Sequence, residues 1–176
     1  MRKYYLIIFI ILFVFNAQAQ RAMGSWQDYL SYANASDVAI GNNKIYCVTE
    51  GGLFFYDTQD NSVNKVTGLS GLSDFGIQSI AYNTSKQVLV IAYKNSNIDL
   101  MYENGIINLS DIKRKQITGD KSINNISFIE NEAYLACGFG IVVLNLDRKE
   151  IKDTYFIGEG GTASRVNDVE TDGQYI

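Results

Sequence analysis

Ser79-Ile80-Ala81-Tyr82-Asn83-Thr84-Ser85-Lys86-Gln87-Val88-Leu89-Val90-Ile91-Ala92-Tyr93 is the stretch that decides how this chain folds. Two apolar runs flank a polar turn at 83–86. Short runs rich in β-branched and aromatic residues, bounded by turn formers, read as strands. The second run, 88–93, is apolar at consecutive positions rather than alternating. A sheet with one wet face would alternate, so this strand belongs to a sheet covered on both sides.

The same pattern recurs on either side. Asp37-Val38-Ala39, Ser79-Ile80-Ala81, Asn125-Ile126-Ser127 and Asp168-Val169-Glu170 stand 42, 46 and 43 residues apart. A polar turn follows each, then a second apolar run at 45–48, 88–93, 133–137 and, incomplete, Tyr175-Ile176. Third strands are expected at 53–56, 98–101 and 141–144, and fourth strands at 63–66, 106–109 and 151–156. Asn104-Gly105 suits the tight hairpin between two of them, since both residues tolerate positive φ. Four antiparallel strands per unit of about 40–50 residues is the pattern of a propeller blade. The expected fold is therefore all-β, a partial β-propeller of four-stranded antiparallel blades.

About three and a quarter blades are expected, at 34–76, 77–122, 123–164 and an incomplete 165–176. A ring closes with about four to eight blades, so a piece of this size leaves interfaces uncovered and reads as a truncated product. The isolated 20–176 segment is accordingly expected to melt without a cooperative transition. Circular dichroism on heating tests this; a soluble monomer with one sharp transition would refute it.

Residues 1–19 read as a secretory signal: Arg2-Lys3, an apolar stretch at 4–15, then Ala17-Gln18-Ala19 as a cleavage site. The apolar run is shorter than the ~20 residues of a spanning helix. Export to the periplasm and then to the outer-membrane surface is the expected route. Loss of Arg2 and Lys3 would take the formal charge from −4 to −6, a balance unsuited to general nucleic-acid binding. Residues 20–33 form a leader in which 26–31, with Trp26, either completes the last blade as a ring-closing strand or covers the base of the first. Cys47 and Cys137 fall on different blades and, by the repeat alignment, on opposite strand faces. That favours two buried core thiols over a disulfide.

Catalytic chemistry is hard to place here. The chain has no histidine, which removes His-based triads and His metal ligands from this segment. Gly138-Phe139-Gly140 and Gly158-Glu159-Gly160-Gly161 read as turns within and between repeats. Asp57, Asp74, Asp99, Asp120 and Asp147 recur near strand ends and read as turn residues. No catalytic residue, metal ligand or cofactor is expected. The one basic cluster, Lys113-Arg114-Lys115, reads first as a solvated loop and second as a contact for phosphate or acidic sugar.

Ile45-Tyr46-Cys47-Val48-Thr49-Glu50-Gly51-Gly52-Leu53-Phe54-Phe55-Tyr56-Asp57 and Gly71-Leu72-Ser73-Asp74-Phe75-Gly76-Ile77-Gln78-Ser79-Ile80 resemble the two-component-regulator propeller repeat and its connecting motif. The stretches Gly24-Ser25-Trp26-Gln27-Asp28-Tyr29-Leu30-Ser31-Tyr32, Ile117-Thr118-Gly119-Asp120-Lys121-Ser122-Ile123-Asn124-Asn125-Ile126 and Cys137-Gly138-Phe139-Gly140-Ile141-Val142-Val143-Leu144 resemble the N-terminal propeller of the PorZ family of the type IX secretion system. That resemblance implies a second propeller and a β-sandwich sorting domain in the complete protein. It implies membership of the attachment complex with the sortase PorU and its companions PorV and PorQ, and binding of anionic lipopolysaccharide. The expected role is a non-enzymatic surface scaffold. The alternative is the ligand-sensing periplasmic propeller of a hybrid sensor kinase, which shares the repeat.

Overall fold

A computed structural model describes residues 31–170. The expected signal at 1–19, nearly all of the expected closing strand at 26–31 and the end of the expected fourth blade at 171–176 lie outside the described residues.

Three four-stranded antiparallel sheets follow one another along the chain. The first holds β1 (Ala35–Gly41), β2 (Lys44–Thr49), β3 (Gly52–Asp57) and β4 (Ser62–Val66). The second holds β5 (Ile77–Asn83), β6 (Val88–Tyr93), β7 (Ile98–Tyr102) and β8 (Gly105–Leu109). The third holds β9 (Ile123–Ile129), β10 (Glu132–Cys137), β11 (Gly140–Asn145) and β12 (Glu150–Tyr155). Every sheet is a meander in sequence order. The sheets meet chiefly through their first strands, β1 against β5 and β5 against β9. These are the blades of a partial propeller, none closed into a barrel, with β1, β5 and β9 innermost.

The doubly apolar reading of 88–93 is met strand-wide, because all six residues of β6 are buried. Leu89, Ile91 and Tyr93 pack toward the first blade with Tyr46, Val48, Leu53 and Val66. Val88, Val90 and Ala92 point the other way and pack with Leu135, Cys137, Val142 and Leu144 of the third. Each such aliphatic side chain contributes about 1.5–3 kcal/mol on burial, so each junction is held by the hydrophobic effect. The outer side of the first blade is less covered, with Val38 53% and Ile40 71% exposed. Tyr32 lies there, edge-on to Phe54 at 6.1 Å. On the third blade, Val166 and Val169 pack over Ala136.

Polar side chains at a repeated bulge join neighbouring inner strands. The register slips between Ala35 and Asp37, between Ile77 and Ser79, and where β9 faces Ala136 and Cys137. A bulge re-aims a side chain out of the ladder. Asp37 Oδ2 accepts from Ser79 Oγ at 3.1 Å and from the Ile80 backbone N–H at 2.8 Å. Two junctions further along the chain, past the third blade, Asn125 Nδ2 donates to Asp168 Oδ1. The polar residue that opens a repeat thus ties the first blade to the second, and the third blade to the segment that follows it.

Glycine is required where β11 begins. Gly140 has φ +151°, and an added Cβ would lie 2.2 Å from the Tyr155 carbonyl oxygen. Gly-x-Gly here serves strand pairing, as the sequence suggests. The cysteines need a correction. Cys47 pairs across from Val38 and Phe54, on the side of its blade away from the second, and Cys137 faces the second blade from the third. Both therefore point toward the preceding blade position, not to opposite faces. A whole intervening blade keeps them apart, and both are free thiols. Burial pushes the Cys137 thiol up to about 12, so it is an inert core group.

Candidate functional site

The basic cluster sits on the connection between the second and third blades. Asp111–Arg114 forms a single helical turn, α1, where the sequence suggests only a loop. Its exposed carbonyls need donors, and Lys121 supplies them. Lys121 Nζ donates to the carbonyls of Ile112 at 3.1 Å, Lys113 at 2.8 Å and Lys115 at 3.2 Å. Ile112, buried beneath the turn, anchors it to the core between blades two and three.

Lys113, Arg114 and Lys115 come together with Gln116, Thr118 and Lys121 around a shallow depression of about 380 Å³. Lys121 was not singled out in the sequence; its signal is an ammonium seven residues past a short turn that lacks its own cap. The three predicted residues are not equivalent. Lys113 Nζ is paired with Asp74 Oδ2 at 2.6 Å, which bridges the connections on either side of the second blade. Arg114 lies 4.0 Å from Asp111, and Lys115 is exposed. Partly exposed ion pairs contribute about 0–1 kcal/mol, so an arriving anion can compete for Lys113 at small cost.

Asp74 holds this connection in place. Burial opposes its ionisation, but hydrogen bonds from Lys113, Asn95 and Asn97 outweigh that and keep its carboxyl below the usual range. Asn97 Nδ2 reaches it at 2.9 Å. Asp120, the matching residue one blade on, is likewise held low by the Ser122 backbone and hydroxyl, with Arg165 adding to the effect. Both aspartates are turn residues, as read from the sequence.

Asp99 departs from that reading. It lies within β7 and is fully buried. Its Oδ2 accepts from the Ser73 N–H at 2.9 Å and the Tyr93 hydroxyl at 2.6 Å, and its Oδ1 accepts from Asn108 Nδ2 at 2.8 Å. Burial and the Asp99 hydrogen bond drive the Tyr93 phenol far above its ordinary value. The network clamps the Gly71-Leu72-Ser73 connection to the second blade and is structural, closed on itself. Among the described residues there is no group of His, Cys, Asp or Glu placed to hold a metal ion, and no helix long and apolar enough to cross a membrane.

Residues 45–176 match the family of N-terminal β-propeller domains of PorZ from the type IX secretion system. None of the curated proteins matches the chain. Among solved structures, PorZ of Porphyromonas gingivalis, described as an essential bacterial surface component of that system, superposes with a TM-score of 0.70 and 32% identity. The match covers 75% of this chain and 18% of that one, so the chain spans under a fifth of this relative. The extracellular domain of the one-component-system protein BT4673 of B. thetaiotaomicron gives 0.58 at 12% identity, over 82% of this chain and 18% of that one. Apo AztD of Citrobacter koseri gives 0.54 at 12% identity, over 70% and 34%. Those two share the fold alone. With three four-stranded blades, a matching family model over most of its length and a third of its aligned residues in common with P. gingivalis PorZ, the chain belongs to the PorZ N-terminal β-propeller family.

Proposed function

We propose that the chain is part of a non-enzymatic surface component of the type IX secretion system, a propeller scaffold for protein and anionic lipopolysaccharide contacts in the sortase attachment complex. The observation that carries this reading is the family match over residues 45–176. Its partners on this reading are the sortase PorU, PorV and PorQ, and its place is the outer-membrane surface after passage through the periplasm. The basic turn is the contact we assign to the glycolipid. Lys113, Arg114 and Lys115 stand on one short turn beside a depression open to solvent, and phosphate or acidic sugar would meet them within a Debye length of about 8 Å at physiological salt.

The test is replacement of Lys113, Arg114 and Lys115 by serine in the full-length protein, with binding to immobilised lipopolysaccharide measured at low and physiological salt. Roughly three- to tenfold weaker binding is expected at physiological salt, larger at low salt. Unchanged binding at both would overturn the contact.

A further inference from the structure

A pile of aromatic rings crosses the boundary between the first two blades. Gly41 ends β1, and an added Cβ there would fall 1.8 Å from the Tyr82 ring. Tyr82 on β5 fills that space and stacks on Tyr46 of β2, with centroids 5.9 Å apart and planes 17° apart. Tyr46 meets Phe55 of β3 at 5.6 Å, and Lys44 Nζ stands 5.0 Å from the centre of the Phe55 ring. Beside the pile opens a cleft of about 360 Å³ lined further by Asn42, Asn64, Gln87 and Glu103. Small-molecule sites run from about 300 to 1,000 Å³.

Packing alone does not call for this composition. The ladder sets Tyr46, Phe55 and Asn64 side by side in the first blade. Its counterpart in the second sets Val90, Leu100 and Ile107 side by side, and there the row joins a continuous aliphatic core. The first blade has exchanged aliphatic side chains for rings and an amide. Tyr46 is only 5% exposed, yet no described residue hydrogen-bonds its hydroxyl. Burial, then Tyr82, Asp57 and Glu103, push its phenol up to about 12, so it stays a neutral O–H that can donate and accept. The hydroxyl opens into the cleft that Tyr46 helps to line, where water or a ligand can serve as its partner.

We propose that this cleft binds a saccharide, the ring's C–H face resting on the aromatic pile and its hydroxyls held by Tyr46, Asn42, Asn64, Gln87 and Glu103. Aromatic faces offer apolar area with little conformational freedom to lose. Amides and carboxyls supply paired donors and acceptors that match neighbouring sugar hydroxyls. Lys44, Lys65 and Glu103 line the cleft together, so it lacks the strong cationic excess that a phosphate site needs. None of Lys113, Arg114 and Lys115 lines it, so the inference stands apart from the basic turn. The sugar can be free or part of a lipopolysaccharide glycan.

Saturation-transfer NMR on the full chain tests this, with methyl glycosides of mannose, galactose, N-acetylglucosamine and glucuronic acid in one arm. Lipid-free lipopolysaccharide polysaccharide forms the other arm. Transfer from at least one ligand is expected; a glycoside response identifies a free sugar, and a response to polysaccharide alone identifies the glycan. The double variant Asn64→Ala/Glu103→Ala, at exposed rim positions, should weaken that binding at least tenfold with an unchanged melting temperature. Gly41→Ala, which displaces Tyr82, should weaken it as well, with a lowered melting temperature. The triple serine variant of the basic turn should keep the glycoside response, and any weakening it causes should be confined to the polysaccharide. Silence from every ligand, survival of binding in both cleft variants, or loss of the glycoside response in the serine variant would each overturn the proposal.

Discussion

Asp99→Ala should lower the stability of the full chain by about 3–5 kcal/mol, read as a shift in the urea midpoint with an unchanged slope. The substitution strands three donors at once: the Ser73 N–H, the Tyr93 hydroxyl and the Asn108 amide. Each unmet buried group costs about 1–3 kcal/mol, and Tyr93 is itself fully buried, so water cannot easily take over. Asp99→Asn keeps one acceptor oxygen but turns an amide N–H₂ toward the remaining donors. It should recover no more than about half the loss. Asp99→Val imports the residue that the third blade uses at the same place, Val142, and should fare no better than alanine. A loss under about 1 kcal/mol for alanine would show that the network is not holding the connection.

Gly140→Ala is the second large effect, with an expected loss of about 3 kcal/mol or more. The new methyl would meet the Tyr155 carbonyl at 2.2 Å and the Phe156 Cα at 3.5 Å. Both are backbone, so relief requires β12 to part from β11. The positive φ of +151° adds strain of its own. Gly119→Ala is the control: its φ is +111° but an added Cβ meets nothing within 4 Å, and about 1 kcal/mol is expected. Equal losses in the two variants, within about 0.5 kcal/mol, would mean that backbone angle rather than the strand contact sets the requirement.

Much of the architecture was open to a reader of the residues. The run at 88–93 announces a strand buried on both sides because each face meets a different neighbour, and period-two alternation vanishes when there is no wet side. The repeat of Asp37, Ser79, Asn125 and Asp168 was visible as a spacing, but its use as an inter-blade tie was not. That use depends on a bulge, and a bulge leaves no mark in composition. Asp99 was misread for a related reason. Acidic residues in this chain usually sit in turns, and only the register, which aligns Asp99 with Phe54 and Val142, reveals an interior position. The helical turn of Lys113 was hidden by its length, since four residues carry no periodicity. The aromatic cleft needed three dimensions, because Tyr82 reaches Tyr46 across a boundary that no local pattern describes.

The tie between Asp37 and the Ser79-Ile80 pair also has a direction. The acceptor belongs to the earlier blade and the N–H to the later one, so a sheet already formed offers its successor a fixed point of attachment before their aliphatic faces close. A chain made from its N-terminus can therefore finish its first blade and dock the second on it through this one contact.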